Sequence, residues 1–287
     1  MIIFSGSSSI NLGKKVADNI KADVGDIRIE KFPDGEIYVR ILSDVKGKDC
    51  VVVQSTVCND DLVELILLLD LLRDLGASEV HAVVPYLGYA RQDKRFMEGE
   101  ALSAKTVLKV LWGFSDSLTT INCHLRRMGG EFIFHDVKVM NLDAFPRLAG
   151  YFRDKLGEPL VIAPDEGSLE CARNAAEVIG CGFDFLEKER LSGEEVRIGV
   201  KKLNVRGRDI VILDDMISTG GTVIEAAKFL YTQGARSVNV GCVHGVFSQG
   251  VEKVRSSVDS LVCTDTIEGG VSRVSVAGLI GENLTSR

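Results

Sequence analysis

Asp214 and Asp215 stand together after a four-residue apolar run, Ile210-Val211-Ile212-Leu213, and shortly before Ser218-Thr219-Gly220-Gly221-Thr222. Each part has its own chemical use. Two adjacent carboxylates can accept hydrogen bonds from the vicinal hydroxyls of a sugar. Three hydroxyls, successive backbone N–H groups and a helix opening beyond them make a nest for a phosphate, and paired glycines let the backbone close around it. A strand over Ile210–Leu213 would leave the diacid at its carboxyl end, where open parallel sheets meet their ligands. In series these parts describe a pocket for a phosphorylated sugar. An ordinary strand-to-helix turn with two solvated acids is the plainer alternative, and it would suit a lone Gly-Gly pair better than this whole series. No Gly-Lys-Ser/Thr occurs, so the loop is not of the Walker type.

Other segments carry chemistry less distinctly. Phe32-Pro33-Asp34-Gly35-Glu36 is at least a hairpin turn, since Pro sets φ and Gly accepts a positive one. Pro85 to Arg95 places Arg91, Gln92, Lys94 and Arg95 just past an apolar run, where arginine can grip phosphate oxygens through paired hydrogen bonds. A solvated basic loop would look the same. His124 follows the run Leu118–Asn122, and Asp165 follows Ala163-Pro164. A single histidine is more often structural than a ligand. Glu187-Lys188-Glu189-Arg190 opens a polar stretch that, taken alone, reads as an exposed charged hairpin.

Short β-branched runs must position these groups. Strands are expected at Ile2–Phe4, Cys50–Gln54, Val80–Val84, Leu118–Asn122, Leu160–Ala163, Ile210–Leu213, Val238–Val243 and Leu261–Cys263. Amphipathic stretches lie between them at Asp61–Leu75, Ser103–Leu111, Ser168–Ile179 and Thr222–Gln233. Continuous apolar strands alternating with helices imply an α/β class with mainly parallel sheets covered on both faces. The helix Asp61–Leu75 is apolar nearly all round and is expected to be buried, under its own sheet or against another subunit.

The chain also repeats itself. Leu72-Arg73-Asp74-Leu75-Gly76-Ala77 has a counterpart in Leu230-Tyr231-Thr232-Gln233-Gly234-Ala235, and Gly47-Lys48-Asp49 has one in Gly207-Arg208-Asp209. Glu30-Lys31 before Gly35-Glu36 pairs likewise with Glu187-Lys188 before Gly193-Glu194. A common spacing of about 160 residues indicates two tandem copies of one α/β domain. The expected division is 1–145 and 146–287, because Phe145-Pro146 interrupts the pattern between Asn141 and Gly150.

Composition bounds the class of partner. At 45% hydrophobic and 26% charged residues the chain reads as a soluble, packed protein. A net charge of -7 argues against nucleic acid or an anionic membrane as the main partner. The N-terminal apolar run stops after Phe4, too short for a signal peptide, and Glu64, Asp70 and Arg73 break the greasiest stretch, so no membrane span is expected. Seven scattered cysteines with no Cys-x-x-Cys pair suggest reduced thiols and a cytoplasmic setting.

Apolar strand, Asp-Asp and Ser-Thr-Gly-Gly-Thr resemble the 5-phosphoribosyl 1-diphosphate motif of type I phosphoribosyltransferases and ribose-phosphate diphosphokinases. The first copy separates the two families. It has Gln54-Ser55 where the second has the diacid, and no glycine from Thr56 to Asp61, so its sugar cradle is missing. Two tandem type I phosphoribosyltransferase-like domains with only the second site intact are the architecture of the diphosphokinases. That resemblance implies ribose 5-phosphate and ATP as substrates, Mg2+ as cofactor, and a homodimer or higher homo-oligomer. It makes Asp214 and Asp215 ribose ligands and Ser218, Thr219, Gly220, Gly221 and Thr222 the 5-phosphate loop. Phe32, Asp34, Gly35 and Glu36 match the family's adenine loop, which is donated to a neighbouring subunit, and Tyr89-Ala90-Arg91-Gln92-Asp93-Lys94 makes Arg91 and Gln92 ATP ligands. His124 and Asp165 fall at its magnesium-associated positions. Lys188 and Arg190 fall on its catalytic flap. Many relatives carry an acid where this chain has Ser218, so a general-base role there is not carried over. The alternatives are a phosphoribosyltransferase, which leaves the Arg91 and Phe32 segments without a use, and a non-catalytic nucleotide-sensing relative.

Overall fold

The computed structural model describes residues 1–126, 129–164, 168–186, 188–190, 196–198 and 203–286, with the backbone alone described at 188–190 and 196–198. The chain forms two compact units. The first comprises Met1–Asp143, Thr266–Glu268 and Ser275–Arg287, and the second Ala144–Asp265 and Gly269–Val274.

In the first unit the order is β1 (Ile2–Ser5), α1 (Ile10–Ile20), β2 (Asp23–Val24), β3 (Ile27–Lys31), β4 (Ile37–Ile41), β5 (Asp49–Val53), α2 (Asn59–Asp74), β6 (Glu79–Val84), α3 (Ser103–Phe114), β7 (Ser117–Ile121), β8 (Gly130–Phe134) and β9 (Val137–Leu142). The second unit contains α4 (Phe145–Phe152), β10 (Pro159–Ala163), α5 (Leu169–Ile179), β11 (Gly182–Phe185), β12 (Lys188–Arg190), β13 (Val196–Ile198), β14 (Asp209–Ile217), α6 (Gly221–Thr232), β15 (Ser237–Gly245), α7 (Glu252–Arg255), β16 (Ser260–Thr264) and β17 (Ser272–Val274). The last helix, α8 (Ala277–Thr285), belongs to the first unit.

The main sheets run β2-β1-β5-β6-β7-β9-β8 and β11-β10-β14-β15-β16-β17. All neighbours are parallel except β8, which returns antiparallel to β9. Strand for strand the orders correspond, β1 to β10, β5 to β14 and β6 to β15, as the repeat requires. Each unit also carries a separate antiparallel pair, β3–β4 in the first and β12–β13 in the second. Apolar β-branched residues fill the central strands because both sheet faces are covered: Val51, Val52 and Val53 of β5 and Ile210, Val211 and Ile212 of β14 are fully buried.

Three structural details differ from the expectations or extend them. The units divide at Asp143/Ala144, inside the expected 141–150 stretch, but Thr266–Glu268 and the segment carrying α8, which packs on α1, belong with the first unit. There Gly281 approaches α1 so closely that a Cβ would lie 2.3 Å from Asn19 Oδ1. Phe145-Pro146 is not an interruption. It opens α4, where proline is tolerated because a first-turn N–H has no intrahelical acceptor. In helix α2, Leu65, Leu68, Leu69 and Leu72 cover the sheet of its own unit, while Val63 and Leu67 are 48% and 38% exposed on its outer side in the single chain.

Candidate functional site

The second unit builds an open, half-buried acidic ledge. Strand β14 continues through the diacid instead of stopping before it, with Asp214 in register with Cys242 and Ile217 with Gly245 of β15. Both carboxylates are half-buried, and the Asp215 N–H donates to Asp214 Oδ1 at 2.9 Å. Beside them on β15 Cys242 is fully buried, and burial pushes its thiol well above the ordinary range, so the residue next to the ledge is a neutral filler.

The chain then turns into α6 through a loop held from one side. Ile217 O accepts from Val246 and Phe247 N–H, each at 3.1 Å, and Ser218 O accepts from Ser248 N–H at 3.0 Å. Gly220 is the N-cap and has a φ of 81°, a left-handed conformation that glycine adopts without steric cost. Thr219, Gly221 and Thr222 face solvent, and Ser218 is half-buried. Helix α6 has no acidic residue in its first turn. Its leading N–H groups and the Thr219 and Thr222 hydroxyls therefore present a positive, unopposed end suited to an anion. The ledge and the nest adjoin along the nine residues Asp214–Thr222.

At the corresponding place in the first unit the polar groups satisfy one another. Gln54, fully buried, accepts from Ser8 N–H and Oγ at 3.1 and 2.9 Å and donates to Glu64 Oε1 at 3.0 Å. Glu64 also accepts from Ser7 N–H and Oγ at 2.7 and 2.6 Å. Burial raises the Glu64 carboxyl above its usual range, opposed by the two bonds from Ser7. A Cβ on Gly6 would lie 2.2 Å from Gln54 Oε1, which leaves no opening for a sugar.

The two other sequence-selected segments of the first unit are tethered to one helix turn. The tip Phe32–Glu36 is exposed throughout, with Phe32 at 50%, and its turn is closed by Phe32 N–H to Glu36 O and Gly35 N–H to Phe32 O, both 2.8 Å. Gly35 has a φ of 95°, and Phe32 packs edge-on to Tyr38 with ring centroids 5.8 Å apart. Lys31 at the base of this tip pairs with Asp60, and the Tyr89 hydroxyl, two residues before Arg91, donates to Asn59. Asn59 and Asp60 are adjacent in the first turn of α2, so that turn ties both segments to one place. Arg91 is exposed, and Gln92 Nε2 donates to Glu100 Oε2 at 3.3 Å. The Phe96 and Met97 N–H groups hold the Glu100 carboxyl below its usual range.

His124 is exposed on the loop after β7. That loop is fixed by Asn122 Nδ2 donating to Asp143 at 2.9 Å and Cys123 N–H donating to Asn141 Oδ1 at 2.9 Å. Asp165 lies outside the described residues, and Lys188 and Arg190 are placed by backbone alone, paired with Ile198 and Val196 in β12–β13. Among the described residues no group of three or more His, Cys, Asp or Glu gathers to hold a metal. Sequence reasoning passed over Ser248, which braces Ser218, and Val254, which lies against Gly220. A backbone brace and a packing neighbour leave no motif.

Residues 1–113 match the model of the N-terminal domain of ribose phosphate pyrophosphokinase, and residues 146–277 match the phosphoribosyl transferase domain. Ribose-phosphate pyrophosphokinase 2 of Archaeoglobus fulgidus is 43% identical over 99% of this chain and 100% of its own. The ribose-phosphate pyrophosphokinase of Methanothermobacter thermautotrophicus is 41% identical over 98% of this chain and 99% of its own. The crystal structure of phosphoribosylpyrophosphate synthetase from Mycobacterium smegmatis superposes with a TM-score of 0.83 at 26% identity, covering 99% of this chain and 97% of that one. The open acidic ledge in one unit and its closed counterpart in the other thus stand in a chain that belongs to the ribose-phosphate pyrophosphokinase family.

Proposed function

We propose that this enzyme transfers the β,γ-diphosphoryl group of MgATP to the anomeric hydroxyl of ribose 5-phosphate, giving 5-phosphoribosyl 1-diphosphate and AMP. The anomeric oxygen attacks the β-phosphorus, the bond from that phosphorus to the oxygen bridging to the α-phosphate breaks, and AMP departs with that oxygen. The hydroxyl proton is released. Positioning and charge neutralisation dominate such transfers. Asp214 and Asp215 accept from the ribose hydroxyls, while Ser218, Thr219, Gly220, Gly221 and Thr222 hold the 5-phosphate at the start of α6. Ser218 donates a hydrogen bond there and does not serve as the base. Arg91 and Gln92 bind the ATP phosphates, and Phe32, Asp34, Gly35 and Glu36 take the adenine. Lys188 and Arg190 neutralise charge on the transferring group. Magnesium, when bound with ATP, lowers the charge of the polyphosphate; His124 and Asp165 are the residues that would hold it.

One observation carries this reading. A diacid followed by a phosphate nest is open in the second unit, while Gln54 and Glu64 fill the corresponding place in the first, which supports one sugar site per chain. The exposed Phe32 tip and the exposed Val63 and Leu67 of α2 support a homodimer or larger homo-oligomer, which a light-scattering mass tests. Seven cysteines as thiols, and no helix among the described residues long and apolar enough to cross a membrane, support a cytoplasmic setting. The deciding assay incubates the protein with ribose 5-phosphate and MgATP and follows AMP. AMP formed only with both substrates upholds the proposal; ATP consumption indifferent to the sugar, or none, sinks it.

A further inference from the structure

The positions of the first unit that correspond to the diacid and its successor have acquired other partners. Ser55 and Thr56 are 0% and 2% exposed. The Tyr86 N–H donates to Ser55 Oγ at 3.0 Å, and the Thr56 N–H donates to Tyr86 O at 2.9 Å. Thr56 Oγ1 donates to the same carbonyl at 3.3 Å and accepts from the Gly88 N–H at 2.8 Å. Ser55 is itself held, its N–H on Ser9 Oγ at 2.9 Å and its hydroxyl on Thr266 O at 2.6 Å. The loop presses flat on this support: a Cβ at Gly88 would fall 2.3 Å from the Thr56 carbonyl oxygen. Immediately beyond, Tyr89 takes a φ of 63° and is tied to Asn59.

Two buried hydroxyls thus engage three backbone groups of residues 86–88, only three residues ahead of Arg91. A hydroxyl offers one donor and two acceptor sites, and Thr56 uses both kinds on the same loop. We propose that Ser55 and Thr56 are positioning residues for the nucleotide: the lost sugar cradle of the first unit has become the anvil on which the Arg91 loop is set. This rests on the assignment of Arg91 and Gln92 to ATP. An arginine that must meet polyphosphate in a fixed geometry needs its backbone held, because displacement of about 1 Å weakens a positioned contact severely. Neither hydroxyl touches substrate, and their effect is confined to the ATP side.

Steady-state kinetics on the full-length enzyme test this. Thr56→Val keeps the side-chain shape but leaves the Gly88 N–H without its acceptor. It should raise the KM for ATP about tenfold while the KM for ribose 5-phosphate stays within about twofold. Thr56→Ser, which restores the hydroxyl, should return the ATP KM to within about twofold of the parent. Tyr89→Phe, at an exposed side chain that carries no folding risk, removes the outer tether and should raise the ATP KM about threefold. An unchanged ATP KM in Thr56→Val, an equal rise in both KM values, or no rescue by serine overturns the inference. If Thr56→Val does not fold, Tyr89→Phe decides, and a parental ATP KM there overturns it. Failure of the parent protein to make AMP would instead remove the assigned function, so the two failures are distinct.

Discussion

Gly220 sets the angle at which the chain leaves β14 and enters α6. Its φ of 81° and ψ of -2° cost an L-residue about 1 kcal/mol. A Cβ would also lie 2.2 Å from Val254 Cγ2, and Val254 is fully buried in the second core. Overpacking of that kind adds about 2 kcal/mol, so Gly220→Ala should destabilise the second unit by about 3 kcal/mol. Val254→Ala separates the two causes. Alone it removes two buried methyl groups and costs about 2 kcal/mol. In the double variant the clash is gone while the backbone cost and the lost methyls remain, for a total of about 3 kcal/mol where additivity requires about 5. Urea unfolding followed by circular dichroism gives the stabilities, and ribose 5-phosphate kinetics read the loop itself. The KM for the sugar phosphate should rise about tenfold in Gly220→Ala and recover partly in the double variant. A strictly additive cycle, or a Gly220→Ala protein within about 0.5 kcal/mol of the parent, would refute the reasoning.

Three further outcomes are expected. Asp209 accepts from Arg236 Nε and Nη2 at 2.8 and 2.5 Å, Ser237 Oγ at 2.8 Å and Gly157 N–H at 2.9 Å, and the guanidinium beside it holds its carboxyl well below the usual carboxylate range. A depressed value gives stability that is present above about pH 4 and lost as pH falls through the folded value. Asp209→Asn should therefore lose about 2 kcal/mol at neutral pH, the difference shrinking in acid, as a pH series of urea midpoints will show. Glu64 has the opposite sign: its raised carboxyl gives stability below the usual range that is lost as pH rises through the folded value. In the same series Glu64→Gln should gain on the parent as pH rises, and a constant difference would remove the buried charge from the account. Lys188→Ala should cut kcat by about 100-fold or more with little change in either KM, and near-normal turnover would take Lys188 out of the mechanism.

The core strands were legible because residues buried on both faces leave unbroken apolar runs, as in Cys50–Val53 and Ile210–Leu213. The doubled unit was legible from glycines and short polar leads that recur at its turns. Less visible was the continuation of β14 through Asp214 and Asp215. Carboxylates are poor strand formers, and only pairing with β15 carries them. Pro146 misled because the same residue that breaks a helix interior is welcome in a first turn. At the candidate site, side-chain chemistry announced the diacid and the phosphate loop. Ser55, Thr56, Ser248 and Val254 act through backbone contacts or packing and have no residue type or spacing that distinguishes them.

Which unit a terminal helix covers is equally silent in sequence, yet it orders the birth of the molecule. The buried side of α1, with Leu12, Val16 and Ala17, meets α8, whose Ala277, Ile280 and Leu284 face inward. An early element, α1, is thus closed by a late one, α8. Domains ordinarily fold in the order of synthesis, but here the unit made earlier stays unfinished until α8 emerges behind the second unit. During that interval an apolar stripe is open to chaperones or to another nascent chain. A truncation that removes α8 would spare the acidic ledge and injure the unit made earlier.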